Sequence, residues 1–216
     1  MTRVKSKPLS AAQVLSIKRK TIRLDGAWGD CLGEIDRTGV VLVWGQSGNG
    51  KSSAVMSLAK ELTKHGKVLY VSLEEGYALS FQNTLRRYSM QECGARFQVV
   101  TGEDFESISA RLSKRRSADF IVIDSFQYTQ LNYKRYLAFK KKYSNKLIIF
   151  VSHADGKQPA GRAAVSVKYD ADQKIWVEGY KAISNGRYMG ATGEYVIWEK
   201  GAAEYWGRKK QTDDEE

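Results

Sequence analysis

Cysteine is scarce in this 216-residue chain: Cys31 and Cys93 are the only two. They are too few and too far apart for a metal cluster or a disulfide framework, and a reducing cytoplasm is the expected home. Long hydrophobic runs are missing as well. No stretch approaches the roughly 18 apolar residues of a membrane span, and the basic start lacks the apolar segment of a signal peptide. Internal repeats and low-complexity segments are absent too, which leaves an ordinary globular composition of 42% hydrophobic and 27% charged residues.

Acidic residues are outnumbered, 24 against 35 lysines and arginines, giving a formal net charge of +11. Residues 1–23 contain no acid at all, yet carry Arg3, Lys5, Lys7, Lys18, Arg19, Lys20 and Arg23. A surface of this sign suits phosphate-bearing partners, above all nucleic acid; a solvated face kept for solubility is the plainer use. The basic block reads as an arm that contacts nucleic acid or a neighbouring subunit. Within it, residues 10–17 have the makings of a short helix, and Trp28, Cys31, Leu32 and Ile35 form a second apolar cluster.

What is present is a phosphate-binding loop. Gly45-Gln46-Ser47-Gly48-Asn49-Gly50-Lys51-Ser52, continued by Ser53, fits G-x-x-x-x-G-K-[ST] without a mismatch. The apolar run Val40–Trp44 before it reads as a buried strand, and Val55, Leu58, Ala59 and Leu62 after it recur at helical spacing. Glycines let backbone N–H groups fold around a β-phosphate, and the helix start adds partial positive charge. Lys51 would reach the β/γ-phosphates and the Ser52 hydroxyl would hold Mg²⁺, so ATP and Mg²⁺ are the expected cofactors.

Further apolar runs at 67–72, 120–124 and 147–151 alternate with helical patterns at 78–90, 105–116 and 132–143. Nearly all-apolar strands between helices argue for a mainly parallel central sheet with helices on both faces. Beyond His153, segments 165–169, 175–183, 194–198 and 203–206 are separated by turn signals, which predicts added antiparallel strands. The expected organisation is a basic arm with short helices at 1–36, one α/β domain at 37–207, and a charged, disordered tail at 208–216.

Nucleotide hydrolysis also needs a metal anchor and a group to orient water. Asp124 ends an apolar strand at the sheet's carboxyl edge and can hold Mg²⁺; capping the following helix is its other possible use. The next position, where many ATPases carry glutamate, is Ser125, and the free carboxylates are instead Glu74 and Glu75 at the end of the second strand.

These segments resemble the RecA-like branch of P-loop ATPases, with its RadA-type and DnaB-type members. The resemblance rests on the phosphate loop, Leu69-Tyr70-Val71-Ser72-Leu73-Glu74, Val122-Ile123-Asp124-Ser125-Phe126-Gln127 and Ser152-His153. It implies a RecA-like fold, Glu74 as general base (Glu75 if the register slips by one) and His153 as γ-phosphate sensor. A plain strand-end histidine is the alternative for His153. The family also implies a homo-oligomer, ring or filament, in which a neighbour donates a cation; Lys181 and Arg187 are the candidates here. Lys157 and Arg162, in the loop after the sensor strand, are candidates for contacting DNA. A four-cysteine zinc element, a protease-like domain and a helicase N-terminal domain are all missing. The resemblance is therefore to a motor core, such as a phage or mobile element could encode.

The expected function is a Mg²⁺-dependent ATPase coupled to DNA, with single strands favoured, acting with replication or recombination partners and without a membrane. A nucleotide-gated assembly protein with negligible turnover is the second expectation. A small-molecule kinase is the third, disfavoured because the chain shows no arginine-rich lid.

Overall fold

The computed structural model describes residues 7–185 and 193–213. Arg187, one of the two candidate neighbour-facing cations, lies outside the described residues. The chain begins with the short helix α1 (Ala11–Leu15), capped by Ser10 and exposed throughout. A small antiparallel pair, β1 (Thr21–Arg23) and β2 (Glu34–Asp36), brackets helix α2 (Gly26–Leu32). Ile22, Leu24, Trp28, Cys31, Leu32 and Ile35 all belong to the main core. Residues 21–36 are thus folded against the sheet, while residues 7–20 are exposed.

The central sheet holds β3 (Gly39–Gly45), β4 (Val68–Ser72), β5 (Phe97–Thr101), β6 (Phe120–Asp124), β7 (Leu147–Asp155), β8 (Gln158–Pro159), β9 (Gln173–Glu178), β10 (Lys181–Ser184) and β11 (Glu194–Val196). Its order is β11-β10-β9-β3-β7-β6-β4-β5, with β8 folded back on β7. From β9 to β5 every neighbouring pair is parallel, while β10 and β11 are antiparallel additions. Strand β7 lies between the phosphate-loop strand and β6, so the ends of β3, β7, β6 and β4 open onto one edge.

Each face of the sheet is covered. Val41 and Val43 of β3 pack with α3 (Lys51–Leu62) and α4 (Leu79–Arg87). Val40, Leu42 and Trp44 face the other core, shared with α5 (Phe105–Leu112), α6 (Tyr133–Lys142) and α7 (Arg162–Asp170). The all-apolar strand is the signature of this double burial. On α3 the fully buried Val55, Leu58, Ala59 and Leu62 form the predicted face; Leu58 and Leu62 each contribute about 2 kcal/mol by leaving water. Two short 3₁₀ turns, Met90–Arg96 and Phe126–Thr129, complete the connections.

The last third departs from expectation. Segment 165–169 is not a strand but part of α7, whose buried residues, Ala164 and Val167, are three apart and are followed by the buried cap residue Ala171. Segment 175–183 is two strands. Gly179 (φ 51°) and Tyr180 (φ 60°) are both left-handed, which makes the two-residue hairpin turn between Glu178 and Lys181. Segment 203–206 falls within helix α8 (Glu199–Asp213), and the expected disordered tail is helical from 208 to Asp213. Tyr205, Trp206 and Lys209 explain the difference, because all three bond back to Glu178 or the Gly179 carbonyl. No helix among the described residues is long and apolar enough to cross a membrane.

Candidate active site

A cleft of about 740 Å³ opens at the carboxyl edge of the sheet, over the start of α3. The loop between β3 and α3 forms its floor. Gly48 (φ 78°) and Gly50 (φ 93°) take backbone conformations that side chains resist. Gly45 is required for another reason: a Cβ there would come within 2.2 Å of the Val177 carbonyl oxygen. Ser47, Gly48, Gly50, Lys51, Ser52 and Ser53 line the cleft. Gln46 and Asn49 brace the loop instead. The Gly179 amide donates to Asn49 Oδ1 at 2.7 Å, which ties the loop to the β9–β10 turn. Gln46 Nε2 donates to the Gly156 carbonyl at 3.3 Å and so reaches the β7–β8 hairpin.

Lys51 Nζ donates to the Gln46 carbonyl at 2.9 Å. Partial burial lowers its pKa, while Asp124 and Glu74 pull the other way. Asp124 closes β6, and Tyr70, fully buried on the neighbouring β4, donates its hydroxyl to Asp124 Oδ2 at 2.6 Å. Burial drives the Asp124 carboxyl up to about pKa 6, even though that hydrogen bond favours the charged form. Glu74 and Glu75 add to the rise by repulsion, and Lys51 opposes it. The peptide bond joining Asp124 to Ser125 is cis.

Glu74 lies two residues past the end of β4 and meets His153 of β7, with Oε2 and Nε2 2.8 Å apart. The same imidazole nitrogen lies 3.4 Å from Ser125 Oγ, and Gln127 Oε1 accepts the His153 backbone amide at 3.3 Å. Glu75 also lines the cleft and accepts from Ser80 Oγ at 2.5 Å. The structure therefore brings Lys51, Ser52, Glu74, Asp124 and His153 to one cleft from four different elements. It leaves Lys181 outside, at the start of β10, with its Nζ 2.8 Å from Glu194 Oε1. Lys157 and Arg162 are exposed on the β7–β8 hairpin and at the start of α7.

Sequence reasoning missed one wall of the cleft, made by Arg87, Tyr88, Tyr180, Ile197 and Trp198. Arg87 ends α4 and donates to Ser53 Oγ at 3.2 Å. Tyr180 and half-exposed Trp198 meet edge to face at 5.0 Å, beside Ile197 packed on Gly50. The signal for that wall was the Gly179-Tyr180 turn, hidden inside what reads as one continuous strand.

Fold and cleft together define a class: this is a RecA-like P-loop ATPase fold, with β7 inserted between the loop strand and the aspartate strand. Among curated proteins, a stretch of 129 residues, 59% of the chain, is 30% identical to the DNA repair protein RadA of Streptococcus pneumoniae. That stretch spans only 30% of RadA's own length. The flagellar accessory protein FlaH from Methanocaldococcus jannaschii aligns at TM-score 0.53 and 17% identity, over 73% of this chain and 81% of that one. A KaiC-like protein from Pyrococcus horikoshii aligns at TM-score 0.57 and 16% identity, over 83% and 92%. At such identities the likeness to the two solved structures speaks for the fold alone. No protein-family model matches the chain.

Proposed function

We propose that this protein is a Mg²⁺-dependent cytoplasmic ATPase that couples ATP binding and hydrolysis to DNA, preferentially single-stranded, in recombination, replication or helicase loading. The observation that carries the reading is the convergence of Lys51, Ser52, Asp124 and Glu74 on one cleft over a complete phosphate loop. The Ser52 hydroxyl and the Asp124 carboxylate are hard oxygen donors. They fit Mg²⁺, which takes one or two protein oxygens and fills its shell with phosphate and water. Among the described residues no cluster of three or more His, Cys, Asp or Glu offers an all-protein metal cage, so the ion would arrive with the nucleotide. When bound, the ion neutralises charge developing on the phosphates.

Lys51 holds the transferred phosphoryl oxygens. Glu74 accepts the proton of the attacking water, once His153 exchanges its contact with the carboxylate for one with the γ-phosphate. The basic hairpin with Lys157 and the exposed Arg162 support contact with DNA, as does the likeness to a protein named for DNA repair. A second copy of the chain completes the site by donating Lys181 or Arg187, in a ring or filament. The test is ATP turnover with and without single-stranded DNA. Lys51→Ala should lower turnover roughly 10²–10³-fold, the usual cost of losing a charge-stabilising donor. Unchanged turnover would overturn the reading.

One observation favours a second reading, a nucleotide-gated assembly protein with negligible turnover: the Glu74 carboxylate is already engaged by His153. That reading gains if nucleotide changes oligomer size by light scattering while wild type and Glu74→Gln hydrolyse ATP equally slowly.

A further inference from the structure

The opposite edge of the sheet carries a cluster of lysine and arginine side chains. Lys67, Asp119 and Lys146 stand immediately before β4, β6 and β7, whose first residues Val68, Phe120 and Leu147 lie side by side. Two adjoining depressions of about 490 and 440 Å³ open there and share Arg116, Ser117 and Asp119. The first is lined by four lysine or arginine side chains and the second by five, and Asp119 is the only carboxylate in either lining.

Asp119 is largely committed. One oxygen lies 3.4 Å from Arg37 Nη2, and the other accepts the Lys67 amide at 3.0 Å. Lys114, Arg115 and Arg116 are exposed, and among the described residues none of the three has a carboxylate partner. Lys146 is only 7% exposed, yet its ammonium group bonds to neutral oxygens alone, Ser117 Oγ at 2.9 Å and the Ala118 carbonyl at 2.6 Å. Lys142 likewise donates to a hydroxyl, Ser109 Oγ. A clustered cation held by neutral acceptors keeps most of its field, and a phosphate arriving there adds counter-charge that the fold provides only through Asp119 and, at Lys64, through Asp25 and Glu61.

The lining also says which polyanion. Single strands are held by stacking bases on exposed aromatic rings as well as by cations. Tyr143, the one Phe, Tyr or Trp in these linings, is 3% exposed with its hydroxyl bonded to Ser109. We propose that this amino edge is a second nucleic-acid surface, which binds the phosphate backbone of duplex DNA independently of sequence, on the far side of the sheet from the nucleotide cleft. The five residues of β6 separate the two edges by about 16 Å at a strand's rise. One molecule could then hold a duplex at one edge and a single strand at the other.

This inference rests on the nucleic-acid reading above, and its test separates the two. The full-length protein is titrated with a labelled DNA duplex of mixed sequence, and separately with a labelled single strand, across a range of potassium chloride concentrations. The variant is Lys114→Ala, Arg115→Ala, Arg116→Asn; asparagine is chosen because Arg116 has φ 62°. Each neutralised phosphate contributes about 0.9 to the slope of log K against log salt, so the triple variant should lose about 2 to 3 from the duplex slope. Basal ATP turnover should stay at the wild-type value, and the melting temperature should rise only slightly. Lys142→Ala alone should remove about 1 from the slope. A wild-type duplex slope in the triple variant overturns the inference and leaves the ATPase reading standing. Single-strand binding without duplex binding also overturns it. If the wild type binds neither DNA, the nucleic-acid reading falls too.

Discussion

At the carboxyl edge of the sheet the carboxylates of the cleft are each engaged by a neighbouring side chain. Asp124 has Tyr70 and Lys51, Glu74 has His153, and Lys51 has the Gln46 carbonyl. At the amino edge three consecutive cations, Lys114, Arg115 and Arg116, face solvent beside a single, already shared carboxylate. The first arrangement holds Asp124 where burial raises its carboxyl pKa, and aims its neighbours by hydrogen bonds. The second leaves charge in water, where it costs the fold little and acts at a distance. A site for chemistry and a surface for capture are thus distinguishable by how charge is compensated, before any ligand is considered.

The sharpest way to break this contrast is at Glu74. Replacing it with glutamine keeps shape and hydrogen bonding but removes the proton acceptor, so kcat should fall roughly 10²–10⁴-fold with ATP affinity nearly unchanged. Steady-state turnover and equilibrium nucleotide binding together check this. If turnover survives within tenfold, the work passes to Glu75, which lines the same cleft.

Asp124 should show a smaller effect of opposite sign on stability. Its carboxyl is raised from 3.8 to about 6, so the folded state binds that proton more tightly than the unfolded chain does. Nucleotide-free protein should therefore lose stability as pH rises from about 4 to about 6, with the full cost in place above that. Two pKa units correspond to about 3 kcal/mol as an upper figure. Asp124→Asn should abolish turnover yet make the nucleotide-free protein more stable at neutral pH by up to that amount. The gain should vanish near pH 4. Urea melts at both pH values decide it, and a lower midpoint for the variant at neutral pH would show that the native charge is fully compensated.

The sequence made one half of the molecule more legible than the other. Strands β3, β4, β6 and β7 are each buried on both faces, so their apolar runs were unmistakable, and the carboxylates at their ends followed. The glycine loop announced itself because few other residues can take the φ values of Gly48 and Gly50. The C-terminal third was harder. Segment 165–169 alternates like a strand, and only the small Ala164, three before the buried Val167, reveals the helical face. In α8 the fold is set by Tyr205 and Lys209 reaching Glu178 and by Trp206 reaching the Gly179 carbonyl, contacts some 30 residues back that no local pattern encodes. The wall made by Tyr180, Ile197 and Trp198 depends on that same return. Distant charge clustering was equally hidden, because Lys67, Lys114 and Lys146 meet only through strand order.

The smallest effect is expected at the amino edge, and its sign separates two uses of the same residues. Helix α5 ends at Leu112 with Ser113 as its cap, so Lys114 and Arg115 sit where cations complement a helix dipole. Were that their role, Lys114→Ala with Arg115→Ala would lower stability, by roughly 0.3–1 kcal/mol at low salt. Uncompensated neighbours of like sign instead repel, and removing two should raise the melting temperature slightly, with a change within about 0.5 kcal/mol. Salt tells the cases apart further, since repulsion reaching roughly 10 Å at 0.1 M shrinks to about 3 Å at 1 M. The expected result is a small gain in dilute buffer that disappears in concentrated salt. A loss in dilute buffer would make these cations part of the fold's own electrostatics, and the amino edge would then resemble the carboxyl edge more than it differs from it.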